Sequence, residues 1–101
     1  MDTEQLIAHG RARFEHAAAR RLLKEKYQGK LVFAHAGGMW QADPNMIIYL
    51  QLCDLEEVVL QDLYENPVKV NVYSLLTEMQ QRWQEQMNAW LIEYEALSKN
   101  R

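Results

Sequence analysis

An α+β fold with elements in the order α-ββ-α-ββ-α is predicted by three observations. Long stretches of helical apolar spacing stand at each end of the 101-residue chain. Two short stretches between them are broken by turn residues, as hairpins are. One capped apolar run separates the two. The expected arrangement is two long terminal helices packed on each other and on a small antiparallel sheet of two hairpins, with a short middle helix, all within one domain, residues 1–101.

The first helix is predicted over roughly residues 3–27. Asp2 and Thr3 are N-cap residue types, and "AAARRLLKEK" is almost wholly strong helix formers. Ile7, Phe14, Ala18 and Leu22 share one face, which Leu6, Ala17 and Leu23 widen. Gly10 weakens the interior by about 0.5–1 kcal/mol relative to Ala. Gly29 stands where a glycine stop is expected.

Residues 31–35, "LVFAH", and 39–42, "MWQA", read as two strands joined through "AGG". A phosphate-binding loop needs glycine leading into a helix N-terminus, and a P-loop needs Lys-Ser/Thr after it. Met39 and Trp40 follow here instead. The glycines are therefore expected to supply the positive φ of a tight hairpin turn. His35 becomes a partly exposed strand residue beside that turn.

Asp43 and Pro44 open a short helix over 44–53, with the cap and first-position chemistry that such a start needs. Ile47, Ile48, Leu50 and Leu52 are too many for a narrow stripe, so burial over most of that helix is expected. "EVVLQDLYENPVKVNV" is the second hairpin. Val58, Leu60 and Asp62 share one strand face, "ENP" turns the chain, and Val68, Val70 and Val72 then alternate with Lys69 and Asn71. The last helix, roughly 73–98, is marked by Val72, Leu76, Met79, Trp83, Met87, Trp90, Tyr94 and Leu97 at steps of three and four. At about 39 Å it outruns a domain whose radius of gyration should be near ~13 Å. Its aromatic load needs a second surface, and the alanine-rich first helix covers only part of it.

The totals exclude several classes. Apolar residues are 49% and charged residues 25%, which suits a folded chain rather than a disordered one. No apolar run nears the roughly 18–20 residues of a membrane span, and the N-terminus lacks the pattern of a signal peptide. The cytosol, or a virus particle assembled in it, is the expected setting. Cys53 is the sole cysteine, so neither an internal disulfide nor a thiolate zinc site is available. It lies at the end of an apolar helix, beside the negative charge of Asp54 rather than a base, and is expected to be buried and inert. His9 and His16 are seven residues apart, too far for one ion, and no cofactor is implied. Glu56/Glu57 and Glu93/Glu95 diverge from each other by strand or helix geometry, so neither is an acid/base pair. No enzyme is expected.

The net charge of −3 hides an asymmetry. Residues 1–30 carry Arg11, Arg13, Arg20, Arg21, Lys24, Lys26 and Lys30 against Asp2, Glu4, Glu15 and Glu25, a net of +3. This basic ridge is expected to meet carboxylates, such as Glu78, Glu85, Glu93 and Glu95, in this chain or in a neighbouring copy. The second reading gives it to phosphate.

"DLYENPVKVN", then "LL", then "RWQEQMNAW" and "EYEAL" resemble small uncharacterised accessory proteins of tailed myophages, over about half of the chain. The resemblance implies a structural or assembly role and carries over no site residue. The expectation is thus a non-enzymatic structural or assembly protein that self-associates or docks on a larger complex. Its interface would be Trp83, Met87, Trp90, Leu91 and Tyr94, because aromatic residues and Met enrich interface cores. The alternative is a nucleic-acid-associated protein using Arg13, Arg20, Arg21 and Lys24.

Overall fold

In the computed structural model, which describes residues 2–99, the chain runs α1 (Thr3–Gly29), β1 (Val32–His35), β2 (Gly38–Gln41), α2 (Pro44–Leu52), β3 (Glu57–Gln61), β4 (Pro67–Asn71) and α3 (Val72–Lys99). The predicted α+β order is the observed one. The ends of the expected domain, Met1, Asn100 and Arg101, lie outside the described residues.

The caps explain the boundaries. The Asp2 carboxylate accepts from the Gln5 N–H at 2.8 Å, while the Gln5 side chain accepts from the Asp2 N–H at 3.1 Å. Asp43 accepts from the Asn45 N–H ahead of Pro44. Asn71 accepts from the Ser74 N–H at the start of α3.

Each hairpin stays a separate two-stranded antiparallel sheet. Phe33 pairs with Trp40 in the first, and Val58 pairs with Val70 in the second. They do not share a ladder. Asp62 joins them: its carboxylate accepts from the Met39 N–H at 3.0 Å, and the Leu63 N–H returns to the Met39 carbonyl at 2.8 Å. The same carboxylate accepts from the Tyr64 and Asn66 N–H groups, shaping the β3–β4 turn. Asp62 is accordingly buried, and these backbone donors, Met39 and Asn66 foremost, hold its carboxyl below the usual aspartate range.

The first turn differs from expectation in one respect. Ala36 (φ 52°) and Gly37 (φ 82°) carry the left-handed backbone. Gly38 is the first residue of β2 and is needed for space. A Cβ there would lie 3.1 Å from Val68 Cγ2 and 3.2 Å from Asp62 Oδ2. In the second turn the left-handed residue is Glu65 (φ 64°) rather than Asn66.

The core gathers Leu31, Phe33, Trp40, Ala42, Leu50, Val70, Val72, Leu75 and Met79. Leu50, Leu75, Met79 and Val70 are sealed from solvent, each contributing about 1.5–3 kcal/mol. The burial expected over most of α2 is not found: only Leu50 is buried, and Ile48, Tyr49 and Leu52 are exposed. This nine-residue helix lies against α3 along one side only, because no element covers its outer face.

The head formed by the hairpins and α2 sits on the first half of α3. Beyond it, α1 and the second half of α3 run antiparallel as an arm. The molecule measures 66 × 24 × 20 Å, with a radius of gyration of 19.5 Å. A compact chain of this length would have about 13 Å. Among the described residues, no helix is long and apolar enough to cross a membrane.

Candidate partner interface

The α1–α3 seam is built from His16, Ala19, Leu23 and Tyr27, spaced three, four and four along α1 and all shielded to some degree. Ala19 and Leu23 face Ala96 and Leu97 across a shallow hollow. At the head end, Lys26 donates to Glu93 at 2.8 Å, and the Tyr27 hydroxyl donates to the same carboxylate. Lys26 and then Tyr27 hold the Glu93 carboxyl below its usual range. Reciprocally, Glu93 raises the Lys26 ammonium and the Tyr27 hydroxyl.

This seam is not the stripe expected from the sequence. Ile7, Phe14, Ala18 and Leu22 lie roughly 145° round the helix from it, at 100° per residue. Ile7, Phe14 and Leu22 are 56%, 73% and 62% exposed. Tyr27 won the inner face because it combines apolar area with a hydroxyl that reaches Glu93.

The seam also stops early. From Asp2 to Glu15 every residue of α1 and its cap is exposed, Leu6 included. This stretch, about 20 Å of helix, overhangs the end of the arm with no neighbouring element among the described residues.

The five residues expected at the interface fall on one continuous band. Trp83 meets Ile47 and Ile48 of α2 across a hollow of about 420 Å³. Met87, Trp90, Leu91 and Tyr94 form the floor of the next, about 300 Å³ and almost wholly apolar. Trp90 and Tyr94 then turn into a groove of about 380 Å³, whose other wall is Ala17, Arg20, Arg21 and Lys24. The two surfaces that the sequence offered as alternatives are thus largely one. Arg20 lies over the Tyr94 ring at 5.7 Å. Arg13 stands apart, on the overhang.

Among the described residues, Arg20, Arg21 and Lys24 form no ion pair. The carboxylates expected to neutralise them are elsewhere: Glu93 binds Lys26, and Glu78 binds Arg82. Such a groove suits a ligand that has an apolar body and a negative charge.

One polar trio was not foreseen. Ser74 Oγ lies 3.4 Å from His35 Nε2, and His35 Nδ1 lies 3.7 Å from Glu78 Oε2. The order matches a hydrolytic triad, but both distances exceed general-base reach and the hollows described above are lined by other residues. Its evident effect is to clasp the first hairpin to α3. Among the described residues, no three His, Cys, Asp or Glu side chains cluster as a metal site would require.

The chain matches no known protein family, characterised protein or solved structure.

Proposed function

We propose that this is a non-enzymatic structural or assembly protein that works through protein contacts along its helical arm. The observation that carries this reading is the overhang. An isolated helix of ~12–15 residues is marginal in water, and this one places Leu6, Ile7 and Phe14 in solvent. A partner that covers it supplies the missing apolar burial.

The surface area supports the same reading. The chain exposes 7516 Å², where a compact monomer of its mass would expose about 5,950 Å². The excess is about twice the ~800 Å² that each partner contributes to a standard protein–protein interface. The myophage-accessory resemblance agrees with such a role, and a phage particle or its assembly in the host cytoplasm is the setting we propose.

The basic groove favours one second reading. Aromatic rings beside Arg and Lys also suit a single nucleic-acid strand, stacked on Trp90 or Tyr94. Sedimentation with and without DNA or RNA separates the two. The assembly reading expects mass above 11.9 kDa from the protein alone and no steep salt dependence of nucleic-acid binding. Monomers that bind nucleic acid with a steep salt dependence would replace it.

A further inference from the structure

We infer that the arm is covered by a second copy of this chain, lying antiparallel, with the acidic tip of each α1 against the basic groove of the other. This rests on the assembly reading and names its partner.

Charge complementarity is the first argument. Between Asp2 and Gly10 the only charged groups, counting His as neutral, are Asp2 and Glu4; from Arg11 to Lys26 there are six basic residues against Glu15 and Glu25. The helix is therefore acidic at its free tip and basic behind it. A parallel pair would place like charges together. An antiparallel pair crossing within residues 10–13 brings the acidic tip of each helix, Asp2 and Glu4, toward the second copy's Arg20, Arg21 and Lys24; Arg11 and Arg13 of the two copies meet at the crossing, where Glu15 of each stands beside them. Among the described residues Asp2, Glu4, Arg20, Arg21 and Lys24 make no ion pair within the chain.

Length is the second. With that crossing, each overhang lies along the other and ends at the groove mouth. Ile7 of each copy comes toward Phe14 of the other, and Leu6 arrives near Ala17 and Tyr94. Neither copy then has an uncovered overhang.

Gly10 is the third. Glycine is unfavourable inside a helix, and a Cβ at Gly10 would meet nothing within 4 Å. The chain's own packing gives no reason for a small residue there. A second helix crossing at that point does, since glycine lets two backbones approach.

The test is a charge-reversal exchange read by sedimentation equilibrium. One variant reverses the tip while keeping the Asp2 cap (Thr3→Lys, Glu4→Lys); the other reverses the groove (Arg20→Glu, Arg21→Glu, Lys24→Glu). All five sites are exposed, and the helix content of each variant by circular dichroism, compared with wild type, checks that it folds along its whole length. Wild-type protein should form dimers. Each variant alone should self-associate at least tenfold more weakly, since like charges now meet at both ends. Mixed in equal amounts, the two should form a heterodimer of wild-type strength, because both ends become complementary. Phe14→Asp, outside the charged patches, should also dissociate the dimer.

If the wild type associates but the reversals change nothing and the mixture shows no preference, the antiparallel pairing is wrong and the assembly reading stands. If the wild type is monomeric at high micromolar concentration, the pairing falls whatever else it binds; if it then also binds nucleic acid with a steep salt dependence, the assembly reading falls with it.

Discussion

Gly38 carries the most direct test of how the head is packed. Its Cβ position lies 3.1 Å from Val68 Cγ2, 3.2 Å from Asp62 Oδ2 and 3.3 Å from Asp62 Cβ. None of these neighbours can yield easily. Val68 is β-branched and stiff at χ1, and the Asp62 carboxylate is held by three backbone N–H groups. Overpacking of this kind costs about 1–3 kcal/mol. For a chain of this size each kcal/mol lowers the melting temperature by about 4–8 °C. Gly38→Ala, near ~1 kcal/mol, should therefore melt about 5 °C below wild type, and Gly38→Val about 10–20 °C below. Thermal unfolding followed by circular dichroism measures both. Gly37→Ala is the control: its φ of +82° is strained for alanine, yet nothing lies within 4 Å. Val68→Ala should relieve Gly38→Ala and leave Gly37→Ala unchanged, giving a coupling of at least ~0.5 kcal/mol in the first pair alone. A Gly38→Ala protein that melts with wild type, or equal relief of both variants, would refute the close-approach reasoning.

Three further outcomes follow from the geometry. The folded-state pKa of Asp62 is lowered, so its contribution is complete above the ordinary aspartate value of about 3.9 and is lost as pH falls through the lowered one; Asp62→Asn should lower the melting temperature at pH 7 and flatten its decline below pH ~4. Leu75→Ala empties a site with no solvent exposure and should cost about 2–5 kcal/mol by urea titration, with m unchanged. Changing Arg20, Arg21 and Lys24 together to Gln should lower monomer stability by no more than about 1 kcal/mol, since among the described residues no ion pair is lost and only the exposed contact of Arg20 with the Tyr94 ring goes; a wild-type nucleic-acid affinity that falls with salt at about −0.9 per duplex phosphate, and flattens in this variant, would instead give the groove to phosphate.

Local chemistry made the elements legible. Asp43-Pro44 announces α2, and "VKVNV" alternates as a strand must. What was not legible depends on partners distant in sequence. Asp62 reads as a strand residue because its role lies in a hydrogen bond to Met39, which no local pattern encodes. The inner face of α1 was misread for a related reason: Phe14 and Leu22 form the stronger apolar stripe, but the position of α3 and the Glu93 carboxylate select Tyr27. The outer face of α2 was overestimated because apolar count alone does not say how many neighbours a helix has. At the candidate interface the residues were legible singly, the aromatics from the period of α3 and the cations from the charge asymmetry. That Trp90 and Tyr94 share a groove with Arg20, Arg21 and Lys24 comes only from the way the two helices are laid together.

The overhang divides the molecule into parts that need not melt together. Hydrogen bonds in residues 3–15 are backed only by local helix propensity, so they open without disturbing the head. A dilute sample should lose helical signal gradually before its cooperative transition. Its calorimetric enthalpy should be that of the remaining chain, roughly 60 kcal/mol rather than the ~70 kcal/mol expected for all 101 residues. Raising the protein concentration should draw the early drift into the main transition as the tips find partners. The heat of unfolding would then report, without any label, how much of the arm is covered.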